Sequence, residues 1–480
     1  MSNISPRGPS VTPPKRSKAD ASEAADRKPA ACAGRGAPPI KQGMPAAHSS
    51  SRYRLHHGAA WALGSQGATI LAQAAIIVFL AKLGSASVVG EYSLALAIVA
   101  PVALLTRLQL RAVIATDVGR TQRFGDYLAL RLTTNLATIG AVALVVAGLN
   151  YDADFNYVVL AFALTKTIEH TSDVFLGRLQ AIEDWRSIAI ASVAKAACGL
   201  TAFLSVWMGG GGLALSVLAF GAGQLAILAC YELPLVRAML GRGRESLWPV
   251  WNRASLARLA ATTLPLGFVS MLVSLTLQTP RYFVEAYEGT EALGYWSAVV
   301  QLAAVTSVLL QPLGQASLAR LASYDRAHPG PYRKLFGFLI AAAVLTGIAG
   351  IAGAYLFGGW ALRLIYRPEY EMLQPVLLVL MAGMVATNIC TVLGIALTAA
   401  RRFRSQLALF AVTAAAGAVS CGLLLPQYGL LGAAYAHAAT WLVACAGGAA
   451  ILFRHRRSAG LGDPLAEEEL PYVAEDNPLA

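Results

Sequence analysis

Four ionisable side chains lie close together in a stretch that is otherwise apolar enough to cross a bilayer. They are Lys166, Glu169, His170 and Asp173, and we call them the ionisable face. Their spacing of i, i+3, i+4 and i+7 places them on one side of an α-helix, within an arc about 100° wide. A charged group at the bilayer centre costs at least about 2.5–3.5 kcal/mol. This face is therefore predicted to meet partner groups or a wet cavity instead of lipid.

Two interpretations of the ionisable face stay open. In the first, Lys166 pairs with Glu169 or Asp173, and the set fastens its helix to the neighbouring helices. In the second, the face lines a cavity, where it binds a substrate or relays a proton. His170 beside two carboxylates suits coupling to H⁺, because an imidazole titrates near neutral pH, and Na⁺ is the alternative coupling ion.

Arginines form a second candidate set in the cytoplasmic half of the first six spans. Arg107 and Arg111 are one helical turn apart, Arg131 begins the next span, and Arg178 lies near the cytoplasmic end of the helix that carries the ionisable face. Guanidinium groups bind phosphate in a bidentate manner, so the set suits an anionic headgroup. The alternative is snorkelling to the membrane interface, which is the preferred interpretation for Arg131 and Arg178.

A third candidate pair lies near the outer end of the seventh span, where Arg281 and Glu285 are one turn apart. A local ion pair is the simpler interpretation, and a cavity role for Arg281 is the alternative. The tenth span differs, because its middle has no charged residue and its polar side chains are Thr387, Asn388 and Thr391. This asymmetry predicts that the anion and ion chemistry belongs to the first half of the chain.

The elements that position these groups are predicted to be transmembrane helices. Of the 480 residues, 56% are hydrophobic and only 13% are charged, whereas a soluble domain carries about 25% charged residues. A span needs about 20 mainly apolar residues, and lipid requires that its backbone be helical. Twelve such segments occur, near 57–81, 88–114, 127–149, 155–181, 186–208, 212–237, 256–284, 293–316, 334–357, 373–397, 403–425 and 429–453.

The loops between the spans predict the orientation of the chain. Lys and Arg are concentrated in alternate loops and after the last span, which places both termini in the cytoplasm by the positive-inside rule. One outer loop breaks the pattern, since 357–373 carries Arg363 and Arg367. The rule also accounts for most of the formal net charge of +12. A nucleic-acid partner is not predicted, because no folded basic module accompanies that charge.

The chain contains an internal repeat. The segment beginning "VGEYS" at Val89 resembles the one beginning "LGYWS" at Leu293, and Gly90 corresponds to Gly294. Two six-helix lobes follow from this repeat, related by a pseudo-two-fold axis along the membrane normal. The chain is predicted to comprise a disordered basic cytoplasmic tail at 1–55, an N-lobe at 56–240, a cytoplasmic connector at 241–255, a C-lobe at 256–455 and a cytoplasmic tail at 456–480.

No pattern of catalytic or metal-binding residues is found in the sequence. The six cysteines have no metal-ligand spacing, and phosphate-binding, nucleophile-elbow and metalloprotease motifs are missing. The sequence therefore predicts no catalytic residue, no metal site and no cofactor, apart from a coupling H⁺ or Na⁺. It predicts a protein that is not an enzyme.

The two "G-x-Y/W-S" elements and the twelve spans in two similar lobes resemble the polysaccharide transporters. These are O-antigen and exopolysaccharide flippases of the superfamily that includes the MATE drug exporters and the lipid II flippases. The resemblance covers about residues 56–455. It implies a MATE-like fold with a cavity that opens alternately to either side. It also implies transport of an undecaprenyl-diphosphate-linked oligosaccharide across the bacterial inner membrane without ATP hydrolysis.

The resemblance assigns roles to the candidate residues. The diphosphate is expected to bind Arg107, Arg111 and Arg178 with help from Lys166, while Arg281 and the rest of the ionisable face line the cavity or couple ions. The chain departs from its relatives in its long basic tail and in lacking an acidic residue before Arg281. Expected partners are the lipid-linked oligosaccharide, membrane lipids, a polysaccharide polymerase and export machinery. Rival functions are a MATE-like cation exporter and a membrane glycosyltransferase or polymerase.

Overall fold

The computed structural model describes residues 48–116, 122–242, 247–308, 310–327 and 329–458. The predicted tails at 1–55 and 456–480 lie outside the described residues except for 48–55 and 456–458, which are helical. The chain divides into a unit Met1–Ser50 and a unit Ser51–Ala480. Its regular elements, throughout the part described, are helices.

Thirteen α-helices make up the described structure. They are α1 (His48–Leu83), α2 (Ala86–Arg107), α3 (Leu110–Thr116), α4 (Phe124–Gly148), α5 (Ala153–Ala181), α6 (Trp185–Met208), α7 (Gly212–Ile227), α8 (Leu233–Arg242), α9 (Arg253–Ala303), α10 (Leu310–Ala327), α11 (Pro329–Ile365), α12 (Gln374–Ala399) and α13 (Phe403–Ser458). A π-helical turn (Leu228–Glu232) joins α7 to α8, and short 3₁₀ turns follow α9 and α11.

The apolar helices confirm an all-α membrane fold. Among the described residues, nine helical segments are long and apolar enough to cross a bilayer. Two of these segments are 55 residues long, one mostly in α9 and one in α13. Each contains a glycine with non-helical backbone, Gly289 in α9 and Gly429 in α13. Helix α5 adds a segment of 29 residues that carries the ionisable face. The count of twelve spans stays a prediction.

The two repeat-related glycines lie where the N-terminal and C-terminal halves meet. A Cβ atom on Gly90 of α2 would lie 1.9 Å from the carbonyl oxygen of Thr290, and one on Gly294 of α9 would lie 1.8 Å from that of Ala86. Each glycine thus faces the residue four positions before the other glycine. Such reciprocity is expected of two helices related by a two-fold axis, and small residues permit this close approach.

The aromatic residue of each repeat element packs into the core. Tyr92 stands edge-on to Phe162 of α5 and Phe203 of α6, with ring centroids 4.9 and 6.4 Å away. Its counterpart Trp296 is only 1% exposed. The element therefore combines a glycine that permits contact between the halves with an aromatic side chain that fills the core.

Polar contacts join the two halves at the predicted outer face. Lys82, at the end of α1, donates to the carbonyl of Leu364 over 2.9 Å. Arg367 donates to the carbonyls of Lys82 and Gly84 over 2.9 and 2.8 Å. We call these three hydrogen bonds the outer clasp. These bonds explain why a predicted outer loop carries Arg367 although the positive-inside rule disfavours a positive charge there.

A further contact between the halves lies at the same face. The hydroxyl of Tyr151, in the loop before α5, donates to the carboxylate of Glu285 over 3.1 Å. Burial and the charge of Glu285 raise the pKa of Tyr151 to about 12. The hydroxyl therefore keeps its proton throughout the physiological pH range, and this contact is lost only as the pH rises through that value.

Candidate anion-binding site

Helix α5 places the ionisable face inside the N-terminal half of the molecule. The helix packs against α2, α3, α4 and α7. Its apolar residues Phe162, Val174 and Phe175 are buried, as is Asp173, whereas Lys166 and Glu169 are partly exposed. Because helices surround α5 on several sides, the buried Asp173 meets side chains of those helices.

Asp173 brings the two sets of candidate residues together. Its Oδ2 atom accepts a hydrogen bond from Nε of Arg107 over 2.7 Å, and its Oδ1 atom lies 3.7 Å from Nη1 of Arg111. The Asp173 side chain is 7% exposed, while those of Arg107 and Arg111 are 30% and 29% exposed. One buried carboxylate thus holds two guanidinium groups that remain partly open.

A break in the helix separates the two arginines. Helix α2 ends at Arg107, and Leu108 and Gln109 both adopt left-handed backbone with φ of 52° and 51° before α3 begins. Left-handed backbone is uncommon for residues other than glycine, and unwound backbone within a membrane is found where it is buried in protein or lines a cavity. The break aims Arg107 and Arg111 at the same carboxylate.

Arg131 stabilises the backbone at this break. The prediction that its side chain snorkels to the membrane interface is wrong. The side chain is fully buried, and its guanidinium donates to the carbonyls of Arg107 over 2.8 Å and Thr106 over 3.3 Å. These carbonyls belong to the last turn of α2, where a helix has no intrahelical donors left. A cation there also complements the negative end of the helix dipole.

The other residues of the ionisable face divide between two environments. Lys166 forms an ion pair with Glu169 over 2.7 Å, as the pairing interpretation predicted. His170 is 3% exposed, and its Nδ1 atom has no hydrogen-bond partner in the part of the chain described. The face is therefore not one uniform cavity lining.

Two further predicted residues lie apart from Asp173. Arg178 is half-buried in the last turn of α5. Arg281 donates to Gln278, while Glu285 accepts from Tyr151. The ion pair expected between Arg281 and Glu285 is thus not formed among the described side chains, because Glu285 is engaged across the interface between the halves.

The arrangement suits an anion with several oxygens. Two guanidinium groups, those of Arg107 and Arg111, contact the single carboxylate of Asp173, and that of Arg131 binds the carbonyl of Arg107 beside them. The pairing of Lys166 with Glu169 adds no net charge. Positive charge therefore exceeds negative charge at a helix break, and Arg107 and Arg111 are accessible enough to meet a phosphate group in bidentate geometry.

The family of the chain follows from comparison with known proteins. A family model described as "Polysaccharide biosynthesis protein" matches residues 55–321. The chain belongs to this family. The chain is also similar to the capsular polysaccharide biosynthesis protein CapF of Staphylococcus aureus. The two are 24% identical over 362 residues, which cover 75% of this chain and 89% of CapF.

Solved structures show that this member of the polysaccharide biosynthesis protein family has the MATE fold. An inward-facing multidrug resistance MATE transporter of the MOP superfamily aligns with a TM-score of 0.63 and 14% identity, covering 82% of this chain and 94% of that one. An outward-facing form aligns with a TM-score of 0.62 and 13% identity, covering 85% and 96%. A MOP superfamily transporter from Pyrococcus furiosus aligns at 0.59 and 13%, covering 83% and 94%. The predicted fold and family resemblance are confirmed.

Proposed function

We propose that the protein is a flippase that moves an oligosaccharide linked to a polyprenyl diphosphate across the bacterial inner membrane by alternating access. The observation that carries the proposal is the site in which Arg107 and Arg111 share the carboxylate of Asp173. A diphosphate supplies oxygens that replace that carboxylate. The membership in the polysaccharide biosynthesis protein family and the MATE fold support the same function.

In this mechanism the arginine site holds the diphosphate while the glycan occupies the space between the halves and the prenyl chain stays in lipid. Contacts at the predicted outer face keep the halves together there, so the substrate enters from the cytoplasm. The outer clasp and the glycine contact then separate, and the predicted inner ends of the lobes approach each other. Such motion requires two packings of similar free energy.

The family favours this function over the two rivals. A MATE-like cation exporter needs carboxylates that attract a cation, whereas arginines outnumber carboxylates around Asp173. A glycosyltransferase or polymerase needs catalytic groups, and no motif of catalytic residues is found in the sequence. A polysaccharide polymerase and export machinery are proposed as partners that use the exported units.

Export of polysaccharide in a deletion strain tests the proposal. Arg107→Gln and Arg111→Gln are each expected to lower surface polysaccharide at least tenfold at normal membrane abundance, because a lost charge-assisted hydrogen bond costs about 1.5–3 kcal/mol. Arg404→Gln, which changes an exposed arginine in the first turn of α13, is the matched control. Full export by both arginine variants would contradict a role of Arg107 and Arg111 in binding the substrate.

The deletion strain also distinguishes the two rival functions. Export of single repeat units by this strain indicates that the protein is a polymerase, and lost drug resistance indicates that it is a cation exporter.

A further inference from the structure

A second buried polar cluster lies in the N-terminal half, at the residue of α5 that precedes Asp173. Ser172 of α5, Lys195 of α6 and Glu232 of the π-helical turn meet there, and we call them the lysine cage. Nζ of Lys195 lies 2.7 Å from Oε1 of Glu232, and the Ser172 hydroxyl donates to Oε2 over 2.6 Å. Lys195 also donates to the Ser172 hydroxyl.

The cage is built deep inside the protein. Glu232 is 0% exposed and Ser172 is 1% exposed, while the Lys195 side chain is 13% exposed. A buried carboxylate without a compensating cation is strongly unfavourable in a membrane protein. Lys195 and Glu232 therefore depend on each other.

A local irregularity of the helix aims Glu232 into the cage. Pro234 has no N–H group for the carbonyl of Cys230, and the chain winds as a π-helical turn over Leu228–Glu232 before α8 begins. Such turns shift the side chains that follow and are frequent at functional sites. The charge of Glu232 also acts on Arg111, which connects the cage electrostatically with the anion-binding site.

The chemistry of the cage is that of a site for a small monovalent cation. A carboxylate and a hydroxyl supply oxygen ligands from two elements, and the ammonium group of Lys195 occupies the position between them. We propose that the lysine cage is a monovalent-cation site whose resident cation is the side chain of Lys195, so that this lobe binds no free Na⁺. When the ammonium group is removed, the vacated oxygens are expected to take Na⁺. The proposal concerns cation binding and does not depend on which substrate the chain carries.

Thermal unfolding of the purified full chain in detergent tests the proposal. Lys195→Met keeps the apolar stem and removes the charge. In N-methylglucamine chloride its Tm is expected to fall below that of the wild type, and NaCl at equal ionic strength is expected to raise it by several degrees with saturation, because a ligand stabilises the folded state that binds it. The wild type is expected to show the same Tm in both salts.

The double variant Lys195→Met/Glu232→Gln is the matched control, since its cage has no charge to compensate. Its Tm is expected to be equal in the two salts. A Lys195→Met protein that ignores Na⁺, or a wild type that Na⁺ stabilises with saturation, overturns the proposal. If Lys195→Met does not accumulate, accumulation of the double variant supports the need for a cation, and failure of both variants contradicts it.

Discussion

At the scale of single residues, the proposed function implies that Asp173 and an anionic substrate compete for the same guanidinium groups. Asp173 holds Arg107 at 2.7 Å and approaches Arg111 at 3.7 Å. On the proposed function, a phosphate that binds the donors facing Asp173 displaces this carboxylate. Asp173 would then act as an internal anion that neutralises the arginines when no substrate is bound and favours substrate release.

Substitution of this carboxylate by an amide tests the competition. Asp173→Asn is expected to tighten binding of undecaprenyl diphosphate about tenfold, because one charge-assisted interaction with the arginines no longer has to be broken. The same variant is expected to export polysaccharide more slowly, since release becomes harder. Titration of the purified protein with the lipid measures the affinity. Weaker binding by Asp173→Asn would instead show that the carboxylate positions the arginines for the substrate.

The sequence could predict part of this site. The spacing of Lys166 and Glu169 predicted their ion pair, because both lie on one helix. The partners of Asp173 lie on other helices, and spacing within one chain segment does not determine which helices meet. Lys195 and Glu232 are single charges in apolar spans, and their presence there could have indicated a partner across helices.

At the scale of the helices, the contact between Gly90 and Gly294 sets how closely α2 and α9 approach. Neither position has room for a Cβ atom, and the nearest atom that such a Cβ would meet is in each case a backbone carbonyl oxygen. Backbone cannot move aside as a flexible side chain does. The repeat that the sequence revealed thus corresponds to a contact between its two copies.

Alanine at this contact is expected to destabilise the protein. Gly90→Ala forces α2 and α9 apart, at a cost of about 1–3 kcal/mol, typical of overpacking. Gly140→Ala in α4 is the control, because a Cβ there meets nothing within 4 Å, and alanine favours helix. The Tm of each purified variant measures the effect. A Gly90→Ala protein as stable as the Gly140→Ala control would show that the helices are not in close contact.

The helices themselves were largely predictable, and their breaks were not. Apolar length predicted spans that overlap the observed helices, from 127–149 for α4 to 373–397 for α12. The break after α2 occurs at Leu108 and Gln109, which are not helix-breaking residues. Arg131 stabilises that break from another helix, so no local sequence signal marks it.

At the scale of the whole molecule, the outer clasp joins the end of α1 to the last turn of α11 and to Arg367, which follows that helix. Arg367 reaches two backbone carbonyls of the N-terminal half, and Lys82 reaches one of the C-terminal half. Nearby Arg363 approaches Glu371 of its own half over 3.8 Å. Arg363, in the last turn of α11, and Arg367 therefore differ, and only the contacts of Arg367 cross between the halves.

Loss of the clasp is expected to open the predicted outer face. Spin labels at Tyr157→Cys and Tyr355→Cys, both exposed near that face, report the separation of the halves. The distance between the two labels is measured by pulsed electron–electron double resonance. Arg367→Gln is expected to add a longer component to the distance distribution, and Arg363→Gln is the matched control that should not. An identical distribution in the Arg367→Gln and reference proteins would rule out a closing role for the clasp.

Translocation in proteoliposomes tests the central claim most directly. Purified protein is reconstituted with a polyprenyl-diphosphate-linked oligosaccharide, and a lectin outside the vesicles detects glycan that arrives there. We predict that the wild type and Arg404→Gln expose the glycan far faster than empty vesicles do, and that Arg107→Gln/Arg111→Gln loses most of this rate. Equal rates for the double variant and the wild type, or a wild type no faster than empty vesicles, would contradict this prediction.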